Sequence, residues 1–506
     1  MIPIEARLPK DPRLRELVTR AQDELAIADP LGAALLAGET GHLPDGSAEA
    51  LAHESQRLVA LATELESLDG LDEDDDLDRS ALAHSLRRVT PAPHPRPPAG
   101  ALLLERHLLA ALGGLGLAPQ PRAVELAALV ESGPAFLAAS REGCFGATEA
   151  AGQVALAAAK RLPQLLDLAA AAARALPLQP RLRERIEAGL GELLAAAAED
   201  GGWLLKEYML AAGAELSRLI VEPSGLGMSI DEVESAAEAM LADQAGLDHD
   251  DLTGHGRHEE AGPPAFPAGA APREPAGLAV VADACRRVEA ACDPWCPDPG
   301  GAEFAVEAQP SWLQPLLPPL ALAAGGPLAS EPLRLLVGDG ASGLSLPDLE
   351  RELAVIQAAE YLPAASARGR GRLARLLVPA PEGAEGWRAL ALAGAPGVVP
   401  HSRGELGWRA ILALVAIAIG RGRLDVSEAA DLIAAETGMD HETARLQAVH
   451  VAAQPAAALT FVAGAVAAGA AVSRIARDSS DQAAHAAVLA AGPLPGFLIN
   501  RLGYTP

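Results

Sequence analysis

Histidine, cysteine, carboxylate and serine carry chemistry only at defined spacings, so those spacings come first. The chain has 12 histidines. None forms an HExxH pair, which would set two imidazoles on one helix face with a glutamate base between them. The densest local group is His249, His255 and His258 with Glu259 and Glu260, in HDDLTGHGRHEE. Its donors suit a divalent metal. The segment is glycine-rich, however, and ordering flexible ligands costs conformational entropy, so it is a weak candidate. Gly338, Gly340 and Gly343 fit GxGxxG after the strand-like Leu333–Val337. The residues that follow, Leu344–Pro347, read as a turn and not a long helix, so a hairpin turn is expected there. There is no GxSxG nucleophile elbow and no phosphate-binding P-loop. Cys292 and Cys296 stand four apart with Pro294 between them, and no second cysteine knuckle completes a zinc ribbon. With Cys144 and Cys285 they read as ordinary thiols.

The elements that must position these groups are helices. Of 506 residues, 112 are alanine, the best helix former, whereas aromatic residues make up 3%. Half the residues are hydrophobic, enough for a sizeable core. Leu14, Leu17, Val18 and Ala21 recur at helical spacing. Asp29-Pro30 and the capping box from Ser229 to Glu232 mark helix starts. The acidic run Asp72–Asp78 is expected to be a solvated loop leading into a helix. The chain divides into a helical region over 1–90, a helical region over 101–253, a Pro/Gly-rich linker and insert over 254–345, and a helical region over 346–506, joined as one continuous fold. The insert holds the clearest strand, Leu333–Val337. Two apolar runs, Ala410–Ile419 and Ala456–Val472, read as core helices and not as membrane spans.

Charge narrows the partners. With 40 basic against 67 acidic residues the net charge is −27, and no basic stripe is present to neutralise phosphates. The short cluster Arg368, Arg370, Arg372 and Arg375 is the local exception. The N-terminal stretch shows no apolar signal core. A cytoplasmic protein with no nucleic-acid and no membrane partner is expected.

Order along the chain then points to a family. Arg421-Gly422-Arg423-Leu424-Asp425-Val426-Ser427-Glu428-Ala429 runs to Glu436-Thr437-Gly438-Met439-Asp440, then Thr443-Ala444-Arg445 and Pro455. His485-Ala486-Ala487-Val488-Leu489-Ala490-Ala491-Gly492-Pro493-Leu494-Pro495 follows near the end. At the other end stand Asp29-Pro30-Leu31-Gly32-Ala33-Ala34, Ser47-Ala48-Glu49-Ala50-Leu51 and Leu77-Asp78-Arg79-Ser80-Ala81-Leu82. Together these resemble the bacterial family called domain of unknown function 885, over nearly the whole chain and least over roughly 100–300. The resemblance implies a mainly α, large helical zincin-like architecture of the carboxypeptidase Taq kind, with a small irregular or sheet-bearing insert. It also implies a zinc-peptidase signature, HEAYPGHH followed by EGW. The matching stretch here is Ala359-Glu360-Tyr361-Leu362-Pro363-Ala364-Ala365-Ser366, with Glu385-Gly386-Trp387 after it. Glutamate and proline stay in register, and both flanking histidines are alanine. The aspartate and histidine of a later segment fall on Ala416 and Gly420, and an arginine–tyrosine pair on His450 and Val451.

A catalytic zinc needs three protein ligands and an open water position. Taking the signature histidines as ligands, two of three are gone. Without the metal, the water that Glu360 would deprotonate keeps a pKa near 15.7 instead of about 7. The expected protein is therefore a catalytically inactive metallopeptidase relative that binds a peptide, a small molecule or a partner protein, with no cofactor. The alternative is a hydrolase with displaced or non-metal catalytic residues, for which Glu360, Glu385 and His485 are the candidates. Tyr361 and Trp387 are the candidate substrate-binding residues. Each also has a plainer reading: Glu360 paired with Arg368 or Arg370, Glu385 a buried acid bonded to a neighbouring helix, Trp387 in the core, His485 packed in a helix.

Overall fold

Alanine-rich runs bounded by polar caps fold here as helices. A computed structural model describes residues 7–36, 42–89, 98–115, 119–142, 144, 149–208, 226–245, 277–296, 304–323, 326–328, 332–395 and 401–503. The first helices are α1 (Pro12–Ala28), α2 (Pro30–Leu36), α3 (Ala48–Glu66) and α4 (Glu73–Val89). Asp11 caps α1 by accepting the Arg13 and Leu14 amides at 2.8 and 3.3 Å. The face Leu14, Val18, Ala21 and Leu25 packs on Leu58, Leu61, Leu65, Leu82 and Leu86. Next come α5 (Gly100–Leu115), α6 (Pro119–Glu142), α7 (Glu149–Ala175) and α8 (Pro180–Trp203), which share a second core.

α9 (Ile230–Ala245) opens with the expected capping box, Ser229 and Glu232 bonding reciprocally. α10 (Leu278–Cys292) precedes three strands, β1 (Phe304–Ala308), β2 (Leu320–Ala323) and β3 (Leu333–Val337). β3 lies in the middle, parallel to β1 (Phe304 opposite Leu333) and antiparallel to β2 (Leu320 opposite Val337). Its side chains alternate between faces. Leu335 and Val337 join the core of the C-terminal helices, whereas Leu336 joins that of α5–α8.

The glycine segment after β3 is not a hairpin. It forms a 3-10 turn over Asp339–Gly343 and leads into α11 (Leu346–Val355), whose N-cap Ser345 accepts the Asp348 amide. Ser345 with Pro347 in the first turn is a helix start, at the point where the expected helical region over 346–506 begins. The acidic run leads into a helix as expected, with Asp72, Glu73 and Asp74 exposed, but it is not solvated throughout: it fills the first turns of α4, and Asp75 and Asp78 are buried.

The remaining helices are α12 (Leu362–Arg370), α13 (Leu373–Leu376), α14 (Pro381–Gly394), α15 (His401–Gly420), α16 (Val426–Thr437), α17 (His441–Ala453), α18 (Pro455–Ile475), α19 (Asp481–Ala491) and α20 (Gly496–Ile499). The fold is thus mainly α-helical with a small open sheet. Among the described residues, α6 and α18 are long and apolar enough to cross a bilayer, and about half of each is buried against the rest of the protein.

Candidate functional site

The stretch that lines up with the peptidase signature, Ala359–Ser366, runs from the end of a π-helical turn, Ile356–Tyr361, which follows α11, into the first residues of α12. In this wider turn the Leu362 amide donates to Gln357 O, five residues back. Pro363, next in line, has no N–H. Ala358 O is thereby left without a helical donor, and the Trp387 indole Nε1 donates to it at 2.9 Å. A buried carbonyl without a partner costs about 1–3 kcal/mol, so proline and tryptophan belong together structurally.

Gly386 has an equally local reason. A Cβ there would lie 2.4 Å from Gly464 O, and a Cβ on Gly464 would lie 2.2 Å from Glu382 O. α14 and α18 therefore touch backbone to backbone. Glu385, the remaining residue of the EGW motif, holds one carboxylate oxygen buried without a hydrogen-bond partner among the described residues. The bond to a neighbouring helix expected of Glu385 is not made by that oxygen among the described residues.

Tyr361 and Trp387 are each 4% exposed. Tyr361 sits in the core among Leu77, Leu362 and Leu494. Trp387 stacks at 5.5 Å on Trp295, which stacks at 4.7 Å on His485. His485 Nδ1 lies 3.1 Å from Trp295 O, and burial lowers the imidazole pKa. His485 thus packs in α19.

Glu360 does not pair with Arg368. Its basic partner is Arg388, at 4.0 Å, while Arg370 lies outside the side chains described. Arg388 also holds Glu405 at 3.0 Å, and Arg409 approaches Glu405 at 3.7 Å while lying over the Phe461 ring. Burial pushes the Glu360 carboxyl upward; Arg388 opposes this and Glu405 reinforces it. Glu360, Glu385 and His485 make no hydrogen bond or ion pair with one another.

Where the resemblance expects metal-site residues, Ala365 and Ala416 are 0% and 1% exposed in apolar packing, and Ala359 packs against the C-terminal core. Among the described residues, no group of three or more His, Cys, Asp or Glu side chains is placed to hold a metal ion. His249, His255 and His258 lie outside the described residues. Burial raises the thiols of Cys285 and Cys292 to about 11, which keeps them protonated and unreactive.

The sequence reading missed a second arrangement. The acidic run of α4 and the arginine cluster, weighed separately above, meet in the interior. Arg372 donates to both Asp75 and Asp78. Arg375 donates to Asp78 at 2.7 Å and to Ala491 O at 2.9 Å. Asp75 also accepts the Lys10 and Asp11 amides at 3.2 and 2.8 Å. Charge complementarity between an acidic run and the one arginine cluster was the available signal. Beside this network lies a cavity of about 250 Å³, walled by Ser366, Ala384, Trp387, Val488, Gly492 and the two arginines, among others.

No family model and no curated protein matches the sequence. Solved structures do match. One is the putative lipoprotein from Colwellia psychrerythraea, with 14% identity, TM-score 0.69, and coverage of 96% of this chain and 97% of the other. Another is a putative lipoprotein of unknown function from Shewanella oneidensis, with 13% identity, TM-score 0.65, and coverage of 96% and 99%. At this identity the likeness defines the class of the chain as a fold: the same large helical architecture along its whole length.

Proposed function

We propose that this protein is a non-catalytic binding protein on a zincin-like, carboxypeptidase Taq-like helical scaffold, related to the domain of unknown function 885 family. The observation that carries the reading is that the signature residues are spent on the protein itself. Ala365 and Ala416 are core, Trp387 caps the Ala358 carbonyl, and Glu360 is held by Arg388. The occupant is a small molecule, with peptide or protein partners as the other outcomes. Metal analysis of the purified full chain tests this: less than a tenth of an equivalent of tightly held zinc and no peptidase activity are expected. Stoichiometric zinc with hydrolysis of unstructured peptides would overturn it.

One observation favours a second reading, a hydrolase without metal. The Glu360 carboxyl is pushed upward by burial beside Arg388 and Glu405, a setting that suits a general acid. Any hydrolytic activity that Glu360→Gln leaves unchanged would remove Glu360 from that role. The proposal places the protein in the cytoplasm. A lipid-anchored location, as the descriptions of the two solved structures suggest for those proteins, is the opposing outcome of membrane fractionation.

A further inference from the structure

The cavity beside the Asp–Arg network is separate from the Glu360 cluster: neither Glu360, Arg388 nor Glu405 lines it. Its walls are almost wholly apolar. A large apolar void is a poor home for water, which needs two to four polar partners. Most polar groups in the wall are already committed. Ser366 Oγ donates to Leu489 O at 3.3 Å, the Trp387 indole to Ala358 O, and Arg375 to Asp78, Ala491 O and Asp74 O. Arg372 differs. Its Nε and Nη2 are fixed by Asp78 and Asp75, and its Nη1 has no partner among the described residues. The charged residues of the wall are Arg372 and Arg375, with no carboxylate among the lining residues. The aspartates that neutralise them reach the guanidiniums from α4, whose residues do not line the cavity.

We propose that this cavity binds a small monocarboxylic acid with an apolar body, its carboxylate on Arg372 and its chain against Trp387, Val488 and Leu489. This rests on the binding-protein reading and names its ligand class. Size sets the body: an engineered apolar cavity of ~150 Å³ holds benzene, so about 250 Å³ suits about ten non-hydrogen atoms. Charge sets the head: a carboxylate gains a charge-assisted hydrogen bond from a guanidinium already held in place, whereas the charged side chains that line the wall offer an ammonium no carboxylate.

The test is calorimetric titration of the full chain with sodium octanoate, octan-1-ol and octylammonium. Arg372 variants would break the Asp75–Asp78 network and risk unfolding. The second protein is therefore Ala384→Trp, at an exposed position of the cavity wall. Expected are one octanoate per chain, binding at least tenfold tighter than octanol, no octylammonium binding, and at least tenfold weaker octanoate binding in folded A384W. Failure of octanoate to bind, equal binding of octylammonium, or unchanged binding in A384W overturns the proposal. Octanol binding that A384W abolishes, with octanoate no tighter, overturns the acid assignment and leaves the binding-protein reading standing. Stoichiometric zinc with peptidase activity overturns that reading, and the octanoate titration still decides the cavity.

Discussion

Two arginine–carboxylate clusters stand at the two ends of α12, built from the same chemistry and packed in opposite ways. Beyond its C-terminal end, Asp78 and Arg375 are 0% and 6% exposed and in direct hydrogen-bond contact at 2.7 Å. Before its N-terminal end, Glu360 and Arg388 are 40% and 28% exposed and 4.0 Å apart. A buried charge must be paired and hydrogen-bonded, whereas a half-exposed one shares its field with water. Resemblance drew the eye to the loose cluster. The tight one ties α4 to α13 and to the end of α19, and stands at the wall of the cavity.

The largest expected effect comes from breaking the tight cluster. Arg375→Met leaves Asp78 with one guanidinium and Ala491 O with none of its present donor, and should cost about 3–5 kcal/mol in urea unfolding. A loss below 1 kcal/mol would show the two clusters to be equivalent. Between them lies the tryptophan cap. Trp387→Phe keeps the ring and orphans the Ala358 carbonyl, for an expected loss of about 1–3 kcal/mol. At the loose cluster, Arg388→Gln should cost no more than about 1 kcal/mol. It should also move the Glu360 titration, followed by carboxyl carbon NMR, further upward, because the opposing charge is gone.

The smallest effects are those of pH, and Glu360 and the buried histidines act with opposite sign. Burial raises the Glu360 pKa, so the folded state binds that proton more readily than the unfolded chain. Its contribution is full below the unfolded value and is lost as pH rises through the folded one. Burial lowers the pKa of His84, His107 and His485, so the folded chain binds those protons less readily. Their contribution is present above pH 6.5 and is lost as pH falls through the depressed folded values. Denaturant midpoints measured from pH 7.5 to 5 should therefore fall for the wild type. His485→Gln should fall less steeply, and an unchanged slope would remove His485 from the account.

Most helices were legible because alanine content, apolar spacing and caps agree locally: the Ser229 box and the Asp29-Pro30 start are in place. β3 was legible from four apolar residues in a run of five, interrupted at Arg334. What escaped notice was long-range. The Asp75–Arg372 pairing spans nearly three hundred residues, and neither partner's segment shows alone that the other exists. The helix from Leu346 was legible, but the glycines before it pointed to a hairpin and form a 3-10 turn instead. The site residues were legible as motifs but not in role. That the Trp387 indole caps a carbonyl depends on a π-turn and on Pro363, and periodicity reports neither.

The position of β3 bears on how the protein comes apart. Leu335 and Val337 plug one helical core and Leu336 the other, from opposite faces of a single strand. Neither half can melt and keep its wall, because losing the strand from one side strips it from the other. The halves are thereby bound into one cooperative unit, and heating should give a single calorimetric transition instead of two. A one-residue insertion within β3 would exchange the faces of every residue beyond it and unsettle both halves at once.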